Sequence, residues 1–81
     1  MKSELLRALD LLSRGEWDAA HALVQDDLSP EAAWLHAHLH RVEGDLSTAG
    51  YWYRRAGKPQ ATGSLEDERR AIETALGGSA T

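Results

Sequence analysis

The chain has 81 residues, no cysteine and a formal net charge of −4. A chain of this length forms one small domain, and without cysteine it holds neither disulfides nor thiolate metal sites. An acidic chain is a poor general binder of nucleic acid, and no apolar run approaches the roughly 20 residues of a membrane-spanning helix. The N-terminal sequence also lacks the pattern of a secretion signal. We therefore expect residues 1–81 to form a single cytoplasmic domain that binds neither nucleic acid nor membrane.

The segment 4–28 predicts a helical hairpin. Its first helix, to about residue 13, places three leucines on one face: Leu5, Leu9 and Leu12. Ser3 is positioned to cap this helix and Gly15 to end it. Glu16 then opens a second helix that runs to about Asp27.

The segment 30–57 predicts a second helical hairpin. Ser29 and Pro30 are a strong helix start, because serine caps the free N–H groups and proline fits the first helical position. The third helix stops at Gly44, and Asp45 caps a fourth helix that fills the rest of the segment.

A fifth helix is predicted over residues 64–76. The loop 57–63 separates it from the second hairpin, and Ser64 with Asp67 resembles a capping box at its start. No segment alternates apolar and polar residues as a half-buried strand does, so the predicted fold class is all-α.

The two hairpins repeat one another with a shift of 29 residues. Five identical pairs result: Leu6 with Leu35, Ala8 with Ala37, Gly15 with Gly44, Ala20 with Ala49, and Pro30 with Pro59. The glycines end the first helix of each hairpin and the alanines allow close helix approach. We therefore predict two hairpins stacked in the same sense, with the fifth helix covering the open end of the stack.

The turns of both hairpins resemble those of tetratricopeptide repeats. The segment GEWDAA (15–20) has the glycine, acid, aromatic and alanine of that turn, and GDL (44–46) followed by Ala49, Trp52, Tyr53 and Ala56 repeats it. The resemblance covers residues 4–59, with a period of 29 residues where the family has about 34. It implies paired helices and a protein-binding role without chemistry. The segment WLHAHLHRVEGDLSTAGYWYRRAG also resembles a family of small bacterial proteins, which implies no activity.

The third helix has two apolar faces. A leucine face is expected to meet the first hairpin: Leu35, Leu39, Val42 and Leu46. A face of small residues is expected to meet the fourth helix: Ala33, Ala37 and His40. The fourth helix has three consecutive aromatic residues that cannot share one face, so we expect Tyr53 in the core and Tyr51 or Trp52 against the fifth helix.

The histidines of the third helix divide by direction. His36, His40 and Glu43 lie within about 60° of one another, whereas His38 points elsewhere. Two imidazoles and a carboxylate form a ligand set for zinc, with His21 as a further candidate. The same residues also fit a packing role, with His40 replacing a core aromatic, or a recognition role. The sequence leaves these three interpretations open.

The favoured function is a non-catalytic protein-interaction module with no cofactor. Its predicted partner-binding residues are Trp34, His38, Arg41, Arg54 and Arg55, because tryptophan and arginine are enriched in interface hot spots. No nucleotide-binding or catalytic motif supports an enzyme. The alternative is a metal-binding or metal-dependent protein that uses His36, His40 and Glu43.

The sequence suggests two further interactions, self-association and anion binding. Leu6 and Leu11 lie off the leucine face of the first helix, which suggests a homodimer through the first hairpin. The basic residues Arg54, Arg55 and Lys58 either dock an anion or pair with acidic neighbours of the same chain.

Overall fold

The computed structural model describes residues 2–77, and all five predicted helices are present. They are α1 (Lys2–Ser13), α2 (Trp17–Val24), α3 (Pro30–Val42), α4 (Leu46–Ala56) and α5 (Leu65–Ala75). Residues 2–77 contain no β-strand, so the all-α fold class is confirmed. None of these helices is long and apolar enough to cross a membrane.

The helix boundaries follow local capping chemistry. Three predicted caps form, each by a side-chain oxygen that accepts a backbone N–H three residues on: Ser29 from Ala32 at 3.1 Å, Asp45 from Thr48 at 3.1 Å and Ser64 from Asp67 at 3.0 Å. The prediction for Ser3 is wrong, because α1 already begins at Lys2 and Ser3 lies inside its first turn. The second helix ends at Val24, earlier than the predicted Asp27.

Three of the five pairs that repeat with a shift of 29, the glycine pair and the two alanine pairs, occupy matching places in the two hairpins. Gly15 and Gly44 follow α1 and α3 with φ of +79° and +87°, a backbone conformation that glycine adopts most readily. The alanine pairs are completely buried in both hairpins: Ala8 with Ala37, and Ala20 with Ala49. In each hairpin these alanines lie on the two facing helices, α1 with α2 and α3 with α4, which pack together.

Helix α3 lies at the centre of the fold. Its leucines Leu35 and Leu39 join residues of α1 and α2 in the main core cluster, as predicted. Ala37 packs separately with Ala49 and Tyr53 of α4. The predicted leucine face is shorter than expected, because Val42 and Leu46 remain 37% and 55% exposed.

Helix α5 lies against α3 and α1. Its residues Ile72 and Leu76 are buried in the main core cluster with Leu5 and Leu35. The fifth helix therefore covers the first helices of both hairpins, and the prediction that it covers the open end of the stack is wrong. Tyr53 is the aromatic of α4 that reaches α5, through a hydrogen bond from its hydroxyl to Glu68.

The other two aromatics of α4 do not follow the prediction. Trp52 packs against the Ala37 cluster and stacks on His36, while Tyr51 meets the edge of Trp52. In the first hairpin, Leu6 and Leu11 pack against the main core cluster. These two leucines are therefore partly buried within the chain, and self-association through the first hairpin stays a prediction.

Candidate metal centre

The histidines of α3 point in two directions, as the sequence predicts. His38 faces α5 and is 2% exposed in its side chain. His36 and His40 are on another side of α3, where their rings contact His21 of α2. The two groups therefore have different neighbours and different chemistry.

The carboxylate of Glu68 in α5 accepts hydrogen bonds from the side chains that face it. The residues that bond to its carboxylate come from α3 and α4: Trp34 Nε1 at 3.1 Å, His38 Nδ1 at 2.7 Å, Arg41 Nη1 at 3.0 Å, and the Tyr53 hydroxyl. Burial alone would raise the pKa of Glu68, but the hydrogen bonds from His38 and Tyr53 outweigh it and hold the pKa at about 2. Glu68 is therefore ionised at neutral pH, although its side chain is 4% exposed.

This arrangement corrects the predicted partner-binding surface. Trp34, His38 and Arg41 do share one face, but α5 of the same chain covers it and Glu68 occupies their polar atoms. His38 is wrong as an accessible binding residue because it is buried. Arg54 and Arg55 remain exposed on α4.

The second group consists of His21, His36 and His40. The Nε2 atoms of His21 and His36 are 3.0 Å apart and share a hydrogen bond, in which one of the two rings donates and the other accepts. One ligand atom of each of the three residues lies within 4.8 Å of the other two. The rings of His36 and His40 stack at 5.0 Å, as residues one helical turn apart can. Two helices thus bring three imidazoles to one point.

Glu43 has a different role from the predicted one. Its carboxylate accepts a hydrogen bond from His40 Nδ1 at 2.6 Å, so Nε2 is the nitrogen of His40 that is left for another partner. Histidines that bind metals are usually held in this way by a carboxylate behind the ring. Glu43 is therefore placed to orient His40, and His21 is the third member of the candidate group with His36 and His40. Glu43, Asp45 and His40 also form a second, more exposed group that meets the same distance limit.

Two indoles fix the imidazole rings. Trp17 stacks on His21 with ring centroids 4.9 Å apart, and its own Nε1 donates to the carbonyl of Leu39 at 2.7 Å. Trp52 stacks on His36 at 3.8 Å, with only 11° between the rings. Because the indoles restrict ring rotation, the nitrogens keep their convergent positions.

Two of the three imidazoles, His36 and His21, have a lowered pKa. Burial, together with the nearby His21 and His40, lowers the pKa of His36 to about 4. Burial and the adjacent His40 likewise lower the pKa of His21. At neutral pH, His36 is therefore an uncharged imidazole, which is the form that binds metal ions.

No known protein family, curated protein or solved structure matches this chain. The sequence identified His36 and His40 as a pair but named His21 only as a further candidate, because the contact between α2 and α3 depends on tertiary packing. Glu68 was missed, although one signal was present. It lies three residues after Leu65 and four before Ile72, on the apolar face of α5, where a carboxylate requires partners.

Proposed function

We propose that this protein binds one transition-metal ion, such as Zn²⁺, through His21, His36 and His40. The observation that carries the proposal is the 3.0 Å separation of the Nε2 atoms of His21 and His36 beside His40. Two nitrogens bound to one tetrahedral zinc at 2.0–2.1 Å lie about 3.3 Å apart. The two side chains need to separate by only a few tenths of an ångström to accept the ion.

The charge state of the site also supports metal binding. A metal ion must displace any proton from an imidazole nitrogen, and this competition weakens binding below the histidine pKa. The lowered pKa of His36, about 4, removes that competition at neutral pH. Imidazole ligands without thiolates suit zinc, nickel, copper and cobalt.

The test is a calorimetric titration of tag-free protein with Zn²⁺ and with Ni²⁺. We expect one ion per chain with micromolar or tighter affinity. The double variant His36→Ala/His40→Ala and the single variant His21→Gln are expected to lose binding while circular dichroism shows retained helicity. The matched control is His38→Gln, which removes the fourth histidine from the opposite side of α3 and is expected to bind normally. Absence of binding, or binding that survives His21→Gln, contradicts the proposal.

We also propose that the protein binds a protein partner, as the sequence predicts, through the exposed side of α4. Within residues 2–77, the side chains of Arg54, Arg55 and Lys58 take part in no ion pair. Arg55 lies 5.3 Å from the centre of the Trp52 ring beside Tyr51, which is 45% exposed. Unpaired arginines beside exposed aromatics suit an acidic peptide.

This second proposal is tested with a fluorescently labelled, glutamate-rich peptide that contains a tyrosine. Fluorescence anisotropy should show binding that weakens with salt and in Arg54→Gln/Arg55→Gln. The matched control is Arg69→Gln/Arg70→Gln, because those arginines of α5 are paired with Glu66. Equal loss in both variants would indicate a nonspecific charge effect.

A further inference from the structure

The proposed metal site has too few protein ligands to complete the coordination of zinc. Zinc in proteins is almost always bound by at least four ligands, and sites with three protein ligands hold water in the fourth position. Within residues 2–77, no carboxylate or further histidine joins His21, His36 and His40 within 4.8 Å of all three. The chain also has no cysteine. Among residues 2–77, the three imidazoles therefore leave one position of a bound zinc ion for another ligand.

The two nearest carboxylates already have other partners. Glu43 accepts the Nδ1 hydrogen of His40 at 2.6 Å, behind the ring rather than beside its free nitrogen. Asp45 caps α4 by accepting the N–H of Thr48 at 3.1 Å. If either carboxylate moved to the ion, the molecule would lose one of these bonds.

Solvent reaches the cluster from one side. His36 is buried, whereas His21 and His40 are partly exposed, with 13% of the His40 side chain accessible. The side chain of Glu43, directly behind His40, is 42% exposed. Water therefore has access to an ion held between the three rings from the side of His21 and His40.

We propose that water occupies the fourth coordination position of the bound zinc ion and that the zinc-loaded protein is a hydrolytic catalyst. This inference rests on the proposed metal binding. Its substrate class is small carbonyl electrophiles, namely carbon dioxide and activated esters. A zinc ion lowers the pKa of its bound water to about 7, so hydroxide is available near neutral pH.

The reaction needs no other reactant. The zinc-bound water releases one proton to solvent, and the resulting hydroxide donates an electron pair to the carbonyl carbon. With carbon dioxide, the new C–O bond gives bicarbonate directly. With an ester, the tetrahedral intermediate collapses, the bond from carbon to the alkoxy or aryloxy oxygen breaks, and the leaving group departs with the electron pair. A new water molecule then replaces the product on zinc.

The histidine cluster lies apart from three concavities of the surface. Three concavities, of about 340, 460 and 160 Å³, lie elsewhere on the molecule, and His21, His36 and His40 line none of them. Ligand pockets usually enclose most of their ligand. A substrate of this site is therefore held mainly by the ion, so saturation is expected only at high concentration.

The activity test measures carbon dioxide hydration by stopped flow and hydrolysis of p-nitrophenyl acetate. Zinc-loaded protein is compared with metal-free protein and with free zinc. The metal-free baseline matters because imidazole itself attacks nitrophenyl esters, whereas it does not hydrate carbon dioxide as a nucleophile. We expect zinc to raise both rates by about tenfold or more, with a rate that increases through pH 7. His36→Phe, which keeps a ring against Trp52, should fall to the metal-free rate, and His38→Gln should not.

Cobalt substitution separates the possible outcomes. Visible absorption of the Co²⁺ form should show four-coordination and should change when azide replaces the water. If one ion binds but azide has no effect and zinc accelerates neither reaction, this inference fails while the proposed metal binding stands. If azide changes the Co²⁺ absorption of the Glu43→Gln variant but not that of the wild type, Glu43 is the fourth ligand and the inference is overturned. One ion per two chains overturns it as well, because a second copy would then fill the position. If no metal binds, the proposed function fails first.

Discussion

Glu68 is the residue whose environment differs most from what its type would suggest. A buried carboxylate is unfavourable unless every lone pair is used, and here four donors from α3 and α4 use them. The same bonds attach α5 to the rest of the molecule. Stability therefore depends on a charge at one position of the apolar face of α5.

Replacing Glu68 with glutamine is the first prediction at this scale. Glu68→Gln keeps the shape but removes the charge that compensates Arg41, so the free energy of unfolding should fall by about 3 kcal/mol. Urea denaturation followed by circular dichroism measures the change. Glu66→Gln is the matched control on the same helix, because Glu66 pairs with Arg69 on the exposed surface and should change stability little. Equal effects of the two variants would contradict the role of Glu68.

The pH dependence of stability is the second prediction. In metal-free protein, the pKa of His36 falls from 6.5 to about 4 on folding, and that of Glu68 from 4.5 to about 2. In both cases the unfolded chain takes up the proton first as the pH decreases. The free energy of unfolding should therefore decrease between pH 6.5 and 4, and again between pH 4.5 and 2, by at most about 1.4 kcal/mol per pH unit for each group.

Urea titrations at pH 7.5, 5 and 3, with a chelator present, measure these two windows. In His36→Phe the contribution of His36 to the upper window should disappear, while the lower one remains. A stability that stays constant in the wild type between pH 7 and 4 would show that His36 is not held neutral by the fold.

At the scale of helices, local chemistry was sufficient for prediction and long-range contacts were not. Ser29, Asp45 and Ser64 identified three helix starts because a cap involves only neighbouring residues. The predicted position of α5 was wrong. It depends on the buried residues that Ile72 and Leu76 contact, and these lie far away in the sequence. The candidate site divides in the same way. His36 and His40 share a helix, whereas His21 reaches them only after α2 packs on α3.

The glycine that ends α3 gives the third prediction. Gly44 has φ of +87°, and a methyl group added to it would have no neighbouring heavy atom within 4 Å, so Gly44→Ala adds backbone strain without a clash. Unfolding should become easier by about 1 kcal/mol. Gly50→Ala is the control: Gly50 lies inside α4 and the new methyl group meets only the side chains of Arg54 and Gln60 at 3.7 Å. It should stabilise the protein by about 0.5–1 kcal/mol, and equal signs for the two variants would contradict the argument.

For the whole molecule, α5 is part of the core rather than an addition to two complete hairpins. It supplies Ile72 and Leu76 to the main core cluster and Glu68 to the donors of α3 and α4. The side of α1 and α3 that the sequence was expected to offer to a partner is covered by α5. A small domain buries little surface, so the surface that α5 buries adds to stability, and α5 takes the place of an open groove between α1 and α3.

Ending the chain at Gly57 tests this dependence and is the fourth prediction. The shortened protein should lose cooperative unfolding, because Leu5, Leu35 and Leu39 would be left facing solvent. Near-ultraviolet circular dichroism and urea denaturation measure the loss. A separate peptide of residues 58–77 should restore the signal when added, whereas the same peptide with Glu68→Gln should restore less of it. An unchanged urea midpoint after truncation would show that the hairpins are stable alone.

The placement of the tryptophans gives the molecule a built-in optical reporter. Trp17 and Trp52 stack directly on His21 and His36, whereas Trp34 is bonded to Glu68 on another side of α3. A paramagnetic ion such as Cu²⁺ quenches nearby indole fluorescence, while Zn²⁺, with a filled d shell, does not. Copper should therefore quench the fluorescence of Trp17 and Trp52 and leave that of Trp34. In the Trp34→Phe variant, the copper-bound protein should then show almost no tryptophan fluorescence. Because copper binds imidazole ligands more tightly than zinc, a chelator that removes the copper should restore the emission.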